Sequence, residues 1–303
     1  MDPVAGLRLH GGASALPAEA DPRLALASLT AVLRAAARRV RGREDTEAVH
    51  DLRVACRRLE GTLWLWQPLF DEELAARLRA RLRRLRRRLS GVRDAEVAVE
   101  LLERVLAPPH GAPPAVPLPP RVERWLMRGR RERDRMLRRI SALARQRRIG
   151  RLEGQAAALA AAMTPPSPEA EAEVRRRLAR RLAALKRLLH APHPPIHALR
   201  ITIKRCRYAL ESWETVTASP APLELARLTA AQRRLGRLRD AGLIAQRLAV
   251  REQRWRSSGH SSAERWAAAR RDALRQELIA EWRAFRPEWN ALREWSASPA
   301  APA

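Results

Sequence analysis

The sequence predicts an all-α protein, and three observations carry that prediction. Apolar residues recur at three- and four-residue intervals over long stretches, as in Leu74, Leu78, Leu82, Leu85, Leu89 and Val92. No stretch of useful length alternates apolar and polar residues as a strand would. One helical pattern also occurs twice. In the run from Val49 to Leu59, a rotation of 100° per residue puts His50, Arg53 and Arg57 on one face. Leu52, Leu59, Leu63 and Trp66 lie roughly opposite, so the helix can dock on a core and present a cationic stripe. The run from Ile196 to Cys206 repeats the pattern 147 residues later, with His197, Arg200 and Lys204-Arg205 in the polar places. Its apolar side recurs as Leu199, Cys206, Leu210 and Trp213. Two such helices imply a duplicated fold with two facing walls.

In chain order, residues 1–20 read as a loose tail and residues 22–42 as a first helix, with Leu24, Leu29, Val32 and Leu33 available for a core. Gly42 ends that helix, and Thr46 can cap the next, which Pro68 stops after Trp66 or Gln67. A long helix begins at Glu72. Beside its leucine stripe, Arg77, Arg81, Arg84 and Arg88 form a second stripe about 90° away. Seven prolines in residues 107–120 stiffen an exposed connection. A helix then opens with Glu123-Arg124-Trp125 and runs toward Ile149; Glu264-Arg265-Trp266 echoes that opening. Gly150, Gly154 and the break Pro165-Pro166-Ser167-Pro168 are expected to separate the halves. Helix 169–190 opens the second half, and Pro195 suits the first turn of the His197 helix. Helix 222–256 carries Arg227 and Arg234 at the places of Arg81 and Arg88. Final helices hold Trp282, Phe285, Trp289 and Trp295, with Pro287 expected to interrupt their spacing.

The net charge is +27, and only Lys186 and Lys204 among the 60 basic residues are lysine. Such a chain attracts polyanions. An arginine-rich composition accounts for part of the count but not for the register of the stripes. Residues 1–20 lack the pattern of a signal peptide, and the longest alanine-rich run, Gln155 to Met163, is too short to span a bilayer. Cys56 and Cys206 fall on core-facing sides without metal-ligand spacing, which predicts free buried thiols in a reducing cytoplasm and no metal or other cofactor.

The two His-x-x-Arg-x-x-x-(Arg/Lys)-Arg runs, with the later echoes Leu89-Ser90-Gly91-Val92-Arg93-Asp94-Ala95 and Leu235-Gly236-Arg237-Leu238-Arg239-Asp240-Ala241, resemble the CHAD domain, a family of histidine-containing α-helical domains that bind inorganic polyphosphate. The resemblance spans most of residues 21–290. It implies two four-helix bundles related by a pseudo-twofold axis, with a basic channel between them. The halves would be residues 21–163 and 164–290, flanked by tails 1–20 and 291–303. Ser90 departs from the glycine that Gly236 supplies, which touches only a local helix contact.

The residues expected to bind polyphosphate are His50, Arg53, Arg57, Arg58, Arg77, Arg81, Arg84 and Arg88 in the first half. In the second they are His197, Arg200, Lys204, Arg205, Arg207, Tyr208, Arg227 and Arg234. Arginine keeps its charge at any working pH and presents a planar fork of five donors, which suits phosphate. The histidines would donate to phosphate oxygens, or else brace their helix starts. Tyr208 either offers its hydroxyl to phosphate or packs. Arg93-Asp94 and Arg239-Asp240 read as internal ion pairs that orient helices. The C-terminal tryptophans either stack bases or fill the core. The leading expectation is a non-enzymatic polyphosphate-binding module, cytoplasmic and at polyphosphate granules; the alternative is a protein that binds RNA or DNA backbones. An enzyme is not expected, since no P-loop, no Glu-x-Glu-x-Lys strand motif and no nucleophile–base arrangement is present.

Overall fold

A computed structural model of the chain describes residues 21–42, 46–106, 118–145, 148–163, 165, 167–217 and 221–297. The expected tail 1–20, residues 298–303 of the expected tail 291–303, and most of the proline-rich connection lie outside the described residues. The described residues form nine α-helices and no strand. The first half contains α1 (Pro22–Gly42), α2 (Thr46–Leu65), α3 (Glu72–Leu106), α4 (Pro120–Arg145) and α5 (Arg148–Ala161). The second contains α6 (Pro168–His190), α7 (Ile196–Thr217), α8 (Pro222–Ser257) and α9 (Ser261–Ala297). In the first half α2 packs on α1, α3 on α2 and α4 on α3, and α4 and α5 both return to α1. In the second α7 packs on α6, α8 on α7 and α9 on α8, and α9 returns to α6.

Local chemistry sets the breaks. After α2, Pro68 lies in a single 3-10 turn, Gln67–Leu69, and α3 follows with Asp71 Oδ1 accepting the Leu74 N–H at 2.8 Å. Ser167 caps α6 by accepting the Ala170 N–H at 3.3 Å, with Pro168 in the first turn. Three expectations need correction. Gly150 and Gly154 do not separate the halves but lie inside α5, where Leu152, Ala156 and Leu159 bury one face. That burial outweighs a glycine cost of about 1 kcal/mol each. Pro287 does not divide the C-terminal region, because α9 continues through it with Phe285 and Leu292 buried on either side. Residues 291–297, expected as tail, are the last two turns of α9 and bury Ser296 as well.

One contiguous core runs through both halves, from Leu26 and Leu33 on α1 to Phe285 and Leu292 on α9. A satellite cluster forms where α4 meets α8 and α9, around Val122, Leu248, Trp255 and Ala267. The halves are joined most intimately between α2 and α7. Trp66 stacks on Trp213, rings 7° from parallel and 5.9 Å apart, and both are fully buried. These residues lie 147 positions apart, the spacing of the two histidine runs. The pair Gly61 and Tyr208 has the same spacing and also meets here. A Cβ on Gly61 would stand 3.0 Å from Tyr208 Cβ and 3.3 Å from its carbonyl oxygen. Trp66 Nε1 donates to Ser212 Oγ at 3.0 Å, and that hydroxyl donates to Thr62 Oγ1 at 3.0 Å. Trp213 Nε1 has no partner among the described residues, and the position 147 before Ser212 is Leu65, which carries no hydroxyl.

Gly61→Ala should therefore destabilise the fold by about 1–3 kcal/mol, the cost of overpacking a tight contact. Gly154→Ala, with nothing within 4 Å of its new methyl, should stabilise by about 0.5–1 kcal/mol. Urea midpoints of the two variants check both signs.

Candidate anion-binding site

The polar stripes of α2 and α7 are brought together by the apolar packing behind them. Arg57 from the first half stands with Arg200 and Lys204 from the second. The Nε atoms of Arg57 and Arg200 are buried and have no hydrogen-bond partner among the described residues. Burial, with the fields of Arg57, Arg200, Arg86 and Arg205, pushes the Lys204 ammonium down to about 7. Arg200 is lowered too, first by burial and then by Arg239 and Arg57, with Asp240 opposing. This is a knot of cations whose strongest neighbours are other cations. Leaving a charged donor buried and unmatched is costly, and anionic oxygens have the chemistry to match it.

The sequence-predicted residues divide into groups around this centre. Arg53 is buried at 9% exposure on the same face of α2, while His50 and His197 face solvent near the starts of their helices. Arg58 and Arg207 both bind Glu211: Arg58 Nε stands 3.2 Å from Oε2, and Arg207 donates to Oε1. Arg205 is exposed, and its carbonyl accepts Arg181 Nη1 at 3.3 Å. Tyr208 is buried at the α2–α7 seam, with the Arg207 guanidinium 4.5 Å from its ring centre. Arg77 pairs with Glu73. Arg81 is half-buried, and Arg84, Arg88 and Arg227 are exposed. Arg234 bonds Glu281 and Glu288, both at 3.2 Å, and so clamps α8 to α9. The Arg239-Asp240 pair is a local contact at 3.8 Å, while the side chains of Arg93 and Asp94 lie outside the described residues.

Arg86 and Arg239 belong to the knot and were not among the expected residues. In α3, arginines flank the leucine stripe on both sides. Arg77, Arg81, Arg84 and Arg88 form one flank, and Arg79, Arg83 and Arg86 the other, about 180° round the helix. Arg86 acts on Lys204 while its Nε stands 3.1 Å from Glu60 Oε2. Periodicity shows both flanks but not which one faces α7.

The cations continue beyond Arg205. The Arg181 guanidinium lies 3.2 Å from the centre of the Trp64 ring and that of Arg177 5.0 Å from it. Arg79 and Arg177 donate to the same Gln67 Oε1, at 3.0 and 2.9 Å. Burial pushes Arg181 down to about 10 and lowers Arg177 and Arg79. Cys56 and Cys206 are buried free thiols pushed up to about 12, chiefly by burial, which makes them poor nucleophiles and poor metal ligands. Among the described residues no group of His, Cys, Asp and Glu could hold a metal ion, and no helix is long and apolar enough to cross a membrane.

The family profile of the CHAD domain matches residues 24–249, and the chain belongs to that family. Two solved structures share the fold. PptA from Streptomyces chartreusis is 24% identical, with a TM-score of 0.62 over 87% of this chain and 98% of its own. The CHAD domain from the plant Ricinus communis is 22% identical, with a TM-score of 0.53 over 89% of this chain and 98% of its own. A search of curated proteins finds no match.

The depressed Lys204 has a definite sign in stability. Its folded pKa near 7 lies below its ordinary 10.5, so the unfolded chain binds more protons between those values, and stability rises with pH across them. Lys204→Met removes the charge. Its urea midpoint should exceed the parent's at pH 6, and the margin should shrink by about pH 9.5. A margin independent of pH would contradict the buried ammonium.

Proposed function

We propose that the protein binds inorganic polyphosphate, without reacting with it, in a basic channel between two halves that arose by duplication. What supports the reading is the knot itself: buried, unmatched guanidinium nitrogens contributed by both halves beside a lysine whose charge the fold penalises. A bound polyanion supplies what each of these groups lacks. Polyphosphate is a line of closely spaced charges, so a row of cations matches it better than a single pocket. The row from Arg239 through Arg200, Arg57, Lys204 and Arg205 to Arg181 and Arg177 has that form. The Trp66–Trp213 and Gly61–Tyr208 contacts, each between positions 147 apart, support a pseudo-twofold axis through the seam.

In this reading Arg57, Arg200, Lys204 and Arg239 carry the ligand, with Arg53, Arg205, His50 and His197 at its edges and Arg86, partly matched by Glu60, behind them. Arg81, Arg84, Arg88 and Arg227 form an outer field that draws the anion in. Arg58, Arg77, Arg207 and Arg234, already matched by carboxylates, contribute least, and Tyr208 serves the seam. The family resemblance favours polyphosphate over RNA or DNA backbones and suggests a place at polyphosphate granules. Nucleic acid remains the second reading, because the same cations suit any phosphate backbone.

Titration against long-chain polyphosphate and against RNA of matched charge, at several salt concentrations, separates the two ligands. Arg57→Glu and Arg200→Glu should each weaken polyphosphate binding by about tenfold or more, as expected when a charge-assisted contact becomes a repulsion. Arg265→Glu, on the exposed face of α9, should cost about twofold. Equal losses at all three positions would show that bulk charge holds the ligand. Binding should also weaken from pH 6 to pH 8. If Lys204 carries that dependence, Lys204→Arg flattens it; if the histidines do, the His50→Gln, His197→Gln double variant flattens it instead.

A further inference from the structure

Beside the knot, α7, α8 and α9 wall a cleft of about 390 Å³. Its polar lip is His197, Arg200 and Arg239, of which Arg200 also belongs to the knot. Its floor and far wall are apolar: Leu238, Leu278 and the ring of Trp282. Trp282 is 41% exposed and leans on the buried ring of Phe285, 5.8 Å away, which holds it in place. Inorganic polyphosphate has no apolar surface to bury against such a wall. The aromatic wall also breaks the internal repeat. Counting back 141 positions, the offset of the Trp125 and Trp266 echoes, puts Ser141 and Ala144 where Trp282 and Phe285 stand. A symmetric phosphate channel would need no tryptophan on one side only.

The ligand that fits has a flat apolar part joined to a chain of phosphates. We infer that the cleft takes the base of a nucleoside polyphosphate, stacked on Trp282, with its phosphates running over Arg200 and Arg239 into the knot. The inference rests on the reading of the knot as a phosphate site. The volume falls within the usual range for small-molecule sites of about 300–1,000 Å³. Beyond Trp282 the exposed face of α9 carries Arg283 and Arg286, which repel a second copy of so basic a chain and favour an anionic occupant.

The test compares ATP with inorganic tripolyphosphate by calorimetry, without divalent cations and at low salt, in the parent and in Trp282→Ala. Stacking on an aromatic side chain should make ATP about tenfold the tighter ligand in the parent. Trp282→Ala, shown to be folded by its urea midpoint, should bring ATP down to the level of tripolyphosphate and leave tripolyphosphate within about twofold. ATP no tighter than tripolyphosphate in the parent, or equal losses of both in the variant, would overturn the assignment. Long-chain polyphosphate provides the separate control. If it fails to bind, the reading of the knot is at fault; if it binds while ATP shows no advantage, only the cleft assignment falls.

Discussion

The seam between α2 and α7 is where this fold meets its main physical conflict. Trp66 on Trp213, and Gly61 against Tyr208, draw the two helices together by removing large apolar surfaces from water. The polar stripes of the same helices are thereby pressed into one another. Arg57 meets Arg200 and Lys204 because the packing behind them leaves no alternative. Burial of two tryptophans is worth several kcal/mol, which offsets part of the repulsion among the cations held beside them. In the proposed function the core holds the charges together and a bound anion relieves them.

The carboxylates show where relief is already provided and where it is withheld. Glu211 takes up Arg58 and Arg207, Glu281 and Glu288 take up Arg234, and Glu252 takes up Arg256 and Arg271. Through Arg58, Arg234 and Arg271 these carboxylates tie one helix to another, while Arg207 and Arg256 are bound within their own helices. Inside the knot Arg86 has Glu60 and Arg200 feels Asp240, but the Nε atoms of Arg57 and Arg200 have no described partner.

The helical architecture was legible in the sequence because its signals are local. Leucine spacing in α3, Pro68 after α2 and Ser167-Pro168 before α6 each act within a turn or two of themselves. The signals misread were those that tertiary packing overrides. Gly150, Gly154 and Pro287 are unfavourable in isolated helices, yet each lies inside one whose flanking residues are buried. In the site, the equivalence of Arg57 and Lys204 was readable from the repeat, and both stand in the knot. Arg86 was not found because its helix is cationic on two flanks, and only the packing of α3 against α2 decides which flank turns inward. The sequence marks Arg239 only as a partner for the adjacent Asp240, and the cation–π platform on Trp64 joins residues more than 100 positions apart.

The central claim is that the fold holds Lys204 in a cationic knot that a phosphate chain neutralises. The protein has only two lysines, so selective isotopic labelling of lysine gives two side-chain signals to follow by NMR. In the free protein one of them, absent from Lys204→Arg, should titrate near pH 7. With long-chain polyphosphate bound, its midpoint should move upward toward the ordinary lysine value, because the bound anion favours the charged form. Two lysines that both titrate near 10.5 in the free protein, or a depressed midpoint that polyphosphate leaves unmoved, would contradict the account.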